Sequence, residues 1–223
     1  MRTVPLLIAL AASGCGAKDA AAGAWLRERG SLFASASARL SWPQDITTWT
    51  SLEPTGQYYT FYAEYGLTER LTVGMDLGRS VSGDGKGVAF LRLPLRDRDS
   101  GLKIATELGL GQIDGTPVLR PGLSLGLGLR HGWLSADGLA EYAPLSGQVD
   151  LKLDLTWGWN LPGDRHLILQ VQTGAPHGDA PFARLAPSVV VPVTERLSAE
   201  VGATWGVTGD ASMGVLVGLW AEF

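Results

Sequence analysis

From Ser31 to its last residue the chain alternates apolar side chains with small or polar ones, stretch after stretch. A period of two makes strands, because successive side chains leave a strand on opposite faces. The final stretch, Ala211 to Phe223, shows it most plainly. Met213, Val215, Val217, Leu219, Ala221 and Phe223 share one face; Ser212, Gly214, Leu216, Gly218, Trp220 and Glu222 share the other. No stretch beyond the N-terminus has the length of apolar residues that a transmembrane helix needs, about 18.

Turn residues cut the pattern into about twelve strands, most of roughly ten residues. They are read as Ser31–Trp42, Gly56–Leu67, Leu71–Ser82, Gly87–Arg96, Gly101–Gln112, a run from Leu119 to Arg130, Trp133–Ala143, Gly147–Asn160, Leu167–Gly174, Phe182–Val193, Leu197–Val207 and the final stretch. Ser82-Gly83-Asp84-Gly85 is a hairpin turn, and Pro43 to Thr55 is the longest connection. A weak repeat, Leu67-Thr68-Glu69-Arg70-Leu71 and Val193-Thr194-Glu195-Arg196-Leu197, falls on connections of the same phase.

Alternation does not say which face points inward. A soluble sandwich buries the Leu/Val face; a membrane barrel turns it to lipid. The chain has only four lysines, Lys18, Lys86, Lys103 and Lys152, where a soluble sheet dresses its wet face with many. Its polar faces are rich in Gly, Ser and Thr, which suits a crowded lumen. Tyr59, Tyr65, Trp157, Trp159 and Trp205 sit on apolar faces near strand ends, where an interfacial girdle lies. The pattern therefore predicts an all-β fold, a transmembrane antiparallel up-and-down β-barrel closed by pairing the first strand with the last. In lipid, closure leaves no backbone group unpaired at an edge.

The terminal strand ending in Phe223 resembles the closing strand of bacterial outer-membrane β-barrel proteins, small single-chain types with a C-terminal Phe. That resemblance implies an outer-membrane location in a Gram-negative bacterium, contact with outer-membrane lipid, Phe223 as part of an assembly signal read by the barrel assembly machinery, and a periplasm-facing C-terminus. It transfers no catalytic or binding residue. An even strand number then puts both termini at the periplasm.

Residues 1–22 read as an export signal: Arg2, then the short apolar run Val4 to Ala12. Two processing routes stay open. Ala12-Ser13-Gly14-Cys15 resembles a lipobox that would acylate Cys15; Ala20-Ala21-Ala22 before Gly23 fits ordinary cleavage. Cys15 is the single cysteine, so an internal disulfide is excluded. Residues 23–30 read as a linker, and 31–223 as the barrel.

The inward charges expected from strand parity are Arg39, Glu64, Asp76, Arg92, Lys103, Glu107, Arg120, Asp137, Glu141, Asp150, Lys152, Asp154, Arg184 and Glu200. They mix both signs, as salt-bridged lumen filler or as the selective lining of a narrow conduit. Asp76 and Arg92 lie equally far from the Gly83–Gly85 turn and are expected to face each other. No segment long enough to plug the lumen is evident. A net charge of −4 offers no nucleic-acid footprint. No metal spacing and no phosphate-cradling glycine loop occurs, so neither metal nor cofactor is expected. His131, His166 and His177 form no triad by spacing; His177 with Asp179 in one loop is the sole hint of lipid-hydrolase chemistry. A narrow passive conduit for small solutes is therefore expected, ahead of a sealed structural or surface-interaction barrel and of a lipid-modifying enzyme.

Overall fold

A computed structural model describes residues 23–97 and 101–223. The signal segment with Cys15 lies outside the described residues. Twelve antiparallel strands close into one barrel. They are β1 (Leu32–Pro43), β2 (Gly56–Thr68), β3 (Leu71–Ser80), β4 (Gly85–Arg96), β5 (Leu102–Ile113), β6 (Thr116–Leu129), β7 (Gly132–Ala143), β8 (Gln148–Leu161), β9 (Arg165–Ala175), β10 (Phe182–Pro192), β11 (Leu197–Thr208) and β12 (Ser212–Glu222). Each strand pairs with its sequence neighbours, and β1 closes on β12 through Phe33↔Glu222 to Pro43↔Ser212. No described helix is long and apolar enough to cross a membrane.

The parity expected from the sequence holds. Leu91, Leu108, Leu123, Leu155, Leu169, Val201 and Val217 are exposed on the outside, while Glu64, Thr72, Arg92, Glu107, Arg120 and Ser124 are buried inside. Water would penalise that much exposed aliphatic surface; lipid does not. Tyr59, Tyr65, Trp157, Trp159 and Trp205 all point outward.

Among the described residues the connection 44–55, which holds a short 3-10 turn at Ile46–Thr48, is the longest; the others between strands span two to six residues at both ends of the barrel. The long-loop end is thus marked by one connection rather than by a general asymmetry.

Two prolines interrupt the ladder. Between β6 and β7 the pairing runs Leu119↔Tyr142 and resumes at Gly122↔Leu139, skipping Arg120 and Pro121. Between β10 and β11 it runs Leu185↔Trp205 and resumes at Ser188↔Gly202, skipping Ala186 and Pro187. Proline has no N–H to donate, so a rung is lost at each.

Residues 23–30 are not an external linker. They enter the barrel from the end that holds Phe223 and run up its inside. Gly30 N–H bonds Gly66 O at 2.8 Å, Arg27 N–H bonds Thr72 Oγ1 at 3.1 Å, and Ala24 is buried. A Cβ on Gly126 would sit 2.5 Å from the Trp25 ring, and one on Gly66 1.9 Å from Glu28 O. Glycines at these two inward positions make the room for the segment. The expectation that no segment is long enough to plug the lumen leaves this short stretch out of account: a polar sequence containing Arg27, Glu28 and Arg29 reads as a solvated linker, yet its Trp25 and Arg27 find partners inside.

Candidate functional site

The lumen is an enclosed polar space to which most strands contribute, and its charges fall into two arrangements. On the β2–β6 side, seven charges of alternating sign form a chain. Lys86 Nζ meets Asp76 at 2.8 Å, and Asp76 meets Arg120 at 2.7 Å. Arg120 reaches Glu107 at 3.0 Å, and Glu107 reaches Arg92 at 2.8 Å. Arg92 pairs with Glu64, which also accepts from Arg27 Nε at 2.8 Å. The Tyr62 hydroxyl donates to Glu64, and Arg92 donates to that hydroxyl at 3.1 Å. Tyr62 stacks on Phe90 with ring centroids 5.7 Å apart, and the Arg92 and Arg120 guanidiniums lie over Phe90 at 5.0 and 5.8 Å. These contacts fill that side of the barrel. Burying charge is tolerable because each ion has at least one opposite partner.

The register corrects the expected Asp76–Arg92 pair. Arg79↔Gly85 closes the hairpin, so Asp76 lies opposite Val88 and Arg92 opposite Thr72. The turn is centred two residues earlier than symmetry about Gly83–Gly85 requires, which moves every pair.

The other side is less filled. Arg39 donates to Gln172 Oε1 at 3.4 Å, and Gln170 Nε2 donates to Thr156 Oγ1 at 3.0 Å. Ser188 and the Trp220 indole donate to Glu200, at 2.7 and 2.9 Å. Asp137 lies opposite Asp154 across β7 and β8, and among the described residues neither makes an ion pair. The remaining expected charges sit towards the mouths. Glu141 pairs with Lys152 at 2.7 Å, Arg184 with Asp210 at 2.6 Å, and Asp150 accepts from the His177 backbone at 2.6 Å. Lys103 turns to Asp97 at the opposite mouth.

Two cavities result. A vestibule of about 860 Å³ opens at the long-loop end, lined by Ser41, Tyr58, Lys86, Glu141, Lys152 and Arg184 among others. A deeper chamber of about 280 Å³ lies among Phe33, Ser35, Thr156, Gln170, Ser188 and Trp220. Both touch Arg39, Asp137, Gln172, Thr204 and Leu216, which mark their junction. Below the chamber Trp133, Ile168 and Val190 form a buried cluster with Trp25 and Trp220 against it. A pocket of about 70 Å³ beside His166 and Glu195 lies beyond that collar. The barrel thus offers a polar path from one mouth to mid-height and an apolar constriction near the other.

Arg27, Lys86 and Asp210 belong to these networks although the sequence reading did not single them out. Lys86 shares the parity of Phe90 and Arg92, a signal hidden by placing it in the turn. Among the described residues no group of three or more His, Cys, Asp or Glu is arranged to hold a metal ion. His166 Nδ1 lies 3.0 Å from Asn160 Oδ1, with its ring edge-on to Trp133. His177 is held by its backbone to Asp150 rather than by its ring to a nucleophile.

Solved barrels match this architecture. A KdgM porin in complex with disordered oligogalacturonate superposes with a TM-score of 0.62 at 9% identity, covering 85% of this chain and 99% of that one. An outer-membrane channel from Pseudomonas putida F1 superposes at 0.57 with 10% identity, covering 89% and 97%. The fold is that of an outer-membrane β-barrel. At such low identity the likeness extends to the fold alone. No protein-family model and no curated protein matches the sequence.

Proposed function

We propose that this barrel sits in the bacterial outer membrane as a narrow passive conduit for small polar solutes. The observation that carries the reading is the polar cavity pair reaching from the long-loop mouth to mid-barrel. A sealed structural barrel has no use for an interior vestibule of about 860 Å³. The likeness of fold to the porin and the channel supports the same reading. The apolar collar of Trp133, Ile168 and Val190 is the narrow point, where conduction depends on whether water enters.

The charges restrict what passes. In the vestibule Lys86, Lys152 and Arg184 are each matched by Asp76, Glu141 and Asp210, leaving Arg39 against Asp137 and Asp154. That lining carries no basic stripe, so an acidic oligosaccharide such as the one bound by the KdgM porin is disfavoured. Neutral solutes and small cations fit it better. Purified protein in planar bilayers should show small discrete openings, enlarged by Val190→Ala. A silent bilayer with correctly folded protein would reject the conduit and leave the sealed barrel.

A further inference from the structure

The inner end of the N-terminal segment presses on one carboxylate. A Cβ built on Gly23 would lie 2.5 Å from Ser124 Oγ and 2.7 Å from Asp137 Oδ1. A side chain at this position would have to push Ser124 and Asp137 aside. Covalent geometry then puts the Gly23 nitrogen within about 5 Å of that oxygen. Asp137 accepts from Ser135 at 3.1 Å through Oδ2 and also takes a bond from the Ser124 hydroxyl, but Oδ1 is buried without a hydrogen bond of good geometry. Asp154 faces Asp137 across the β7–β8 pair, and like charges in register repel. Arg39, which lines the junction with Asp137, is directed to Gln172. Arg92 acts on Asp137 from a distance but is already paired with Glu64 and Glu107, so among the described residues no cation makes an ion pair with Asp137.

The sequence supplies one. Ala20-Ala21-Ala22 is a small-residue cleavage pattern, and it ends one residue before Gly23. We propose that Gly23 is the mature N-terminus and that its α-ammonium docks on Asp137 inside the barrel. Water hydrolyses the Ala22–Gly23 peptide bond, leaving a carboxylate on Ala22 and an amine on Gly23 that takes up a proton. An α-amine with its usual pKa of about 7.7–8.0 is mostly protonated at neutral pH, and a neighbouring carboxylate favours that form further. Arg27 on Glu64 holds the other end of the segment, so residues 23–27 are pinned at both ends by an ion pair. The chain's own start becomes a fixed strut that narrows the lumen. Acylation of Cys15 is the competing route, because it leaves no free amine at Gly23.

The proposal rests on the export reading, and its test does not involve conduction. Intact mass of protein extracted from outer membranes should equal a chain beginning at Gly23. Reductive dimethylation of the folded barrel should then label the Gly23 amine at least tenfold more slowly than in denatured protein, with the Lys152 amine as internal reference. Asp137→Asn should raise the labelling rate several-fold. Gly23→Ala should do the same with the carboxylate intact, since its methyl group would push Ser124 and Asp137 aside; it decides the matter if Asp137→Asn fails to fold. A mature chain that begins elsewhere, a diacylated Cys15, or a Gly23 amine that labels equally fast folded and denatured overturns the proposal. So does protection unchanged in a folded Asp137→Asn barrel. A silent bilayer would count only against the conduit.

Discussion

From β2 to β6 every inward charge of the chain Lys86–Asp76–Arg120–Glu107–Arg92–Glu64 touches an opposite one, whereas from β7 to β12 the lumen is lined by Thr156, Gln170, Gln172, Ser188 and Thr204, with Asp137 and Asp154 facing each other without an ion pair. The same alternation builds both walls. What differs is the length of the inward side chains. Arginines reach across to carboxylates two and three strands away and fill the space between. Short hydroxyls and amides leave it to water. Stability is expected to reside on the first side and permeation on the second.

Removing Arg120, which is 2% exposed, takes one of two cationic partners from both Asp76 and Glu107, leaving Lys86 and Arg92 as the others. Arg120→Met should cost about 3 kcal/mol, the low end for one partner of a buried ion pair, read as unfolding by urea in detergent. Gln172→Met on the open side should cost under about 1 kcal/mol. Equal losses would abolish the contrast.

On the outer face of the same wall, Leu125→Arg should cost about 2–4 kcal/mol in lipid, because a cation near mid-bilayer has no partner. The next residue tests the inside. From the sequence alone Gly126→Ser is expected to be tolerated better than Leu125→Arg, since the residue sits on a small-residue face. The structure narrows that difference: a Cβ there meets Trp25 and Ala24 at 2.5 and 2.7 Å. Overpacking of this kind costs about 1–3 kcal/mol, and the loss should vanish if the segment is withdrawn by Gly23→Ala.

Permeation sharpens the contrast from the other side. Asp154→Asn should shift the reversal potential in a salt gradient towards anions, while Glu107→Gln should leave it nearly unchanged. A larger shift from Glu107→Gln would place the pathway within the charged wall.

The smallest effect is at the vestibule rim. Burial alone would raise the Asp210 carboxyl, but hydrogen bonds from Ser212 and the Arg184 guanidinium outweigh it and hold it below the usual carboxylate range. Its contribution is therefore complete above the unfolded value of roughly 3.9 and lost as pH falls through the lower folded value. The difference in unfolding midpoint between wild type and Asp210→Asn should be small at pH 7 and disappear in strong acid.

The barrel was legible because its signal is repeated on every strand: Leu123, Leu125 and Leu127 against Ser124 and Gly126 give the face, and turn residues such as Asp114-Gly115 give the ends. The closure, the strand count and the inward parity followed. Which charges meet did not. Parity puts Asp76 and Arg92 inside, but their partners depend on a hairpin register and on side chains reaching over several strands. The segment 23–30 was illegible for a related reason. Its place depends on glycines at 66 and 126, whose emptiness has meaning only once the strands surround it.

The rungs missing at Pro121 and Pro187 have a mechanical consequence. They bound a panel of four strands, β7 to β10, that carries Trp133, Asp137, Asp154, Gln170 and Gln172. In hydrocarbon no water replaces a lost rung, so each gap is a line of low stiffness, set well inside the strands where the bulges at Gly66–Thr68 and Pro94–Arg96 lie near strand ends. Radial strain will concentrate there. Amide exchange should be fastest at Ala140 and Ala203, beside the gaps, and slowest in the β3–β5 ladder. The wall that encloses the cavity is therefore the part of the cylinder free to change its own diameter.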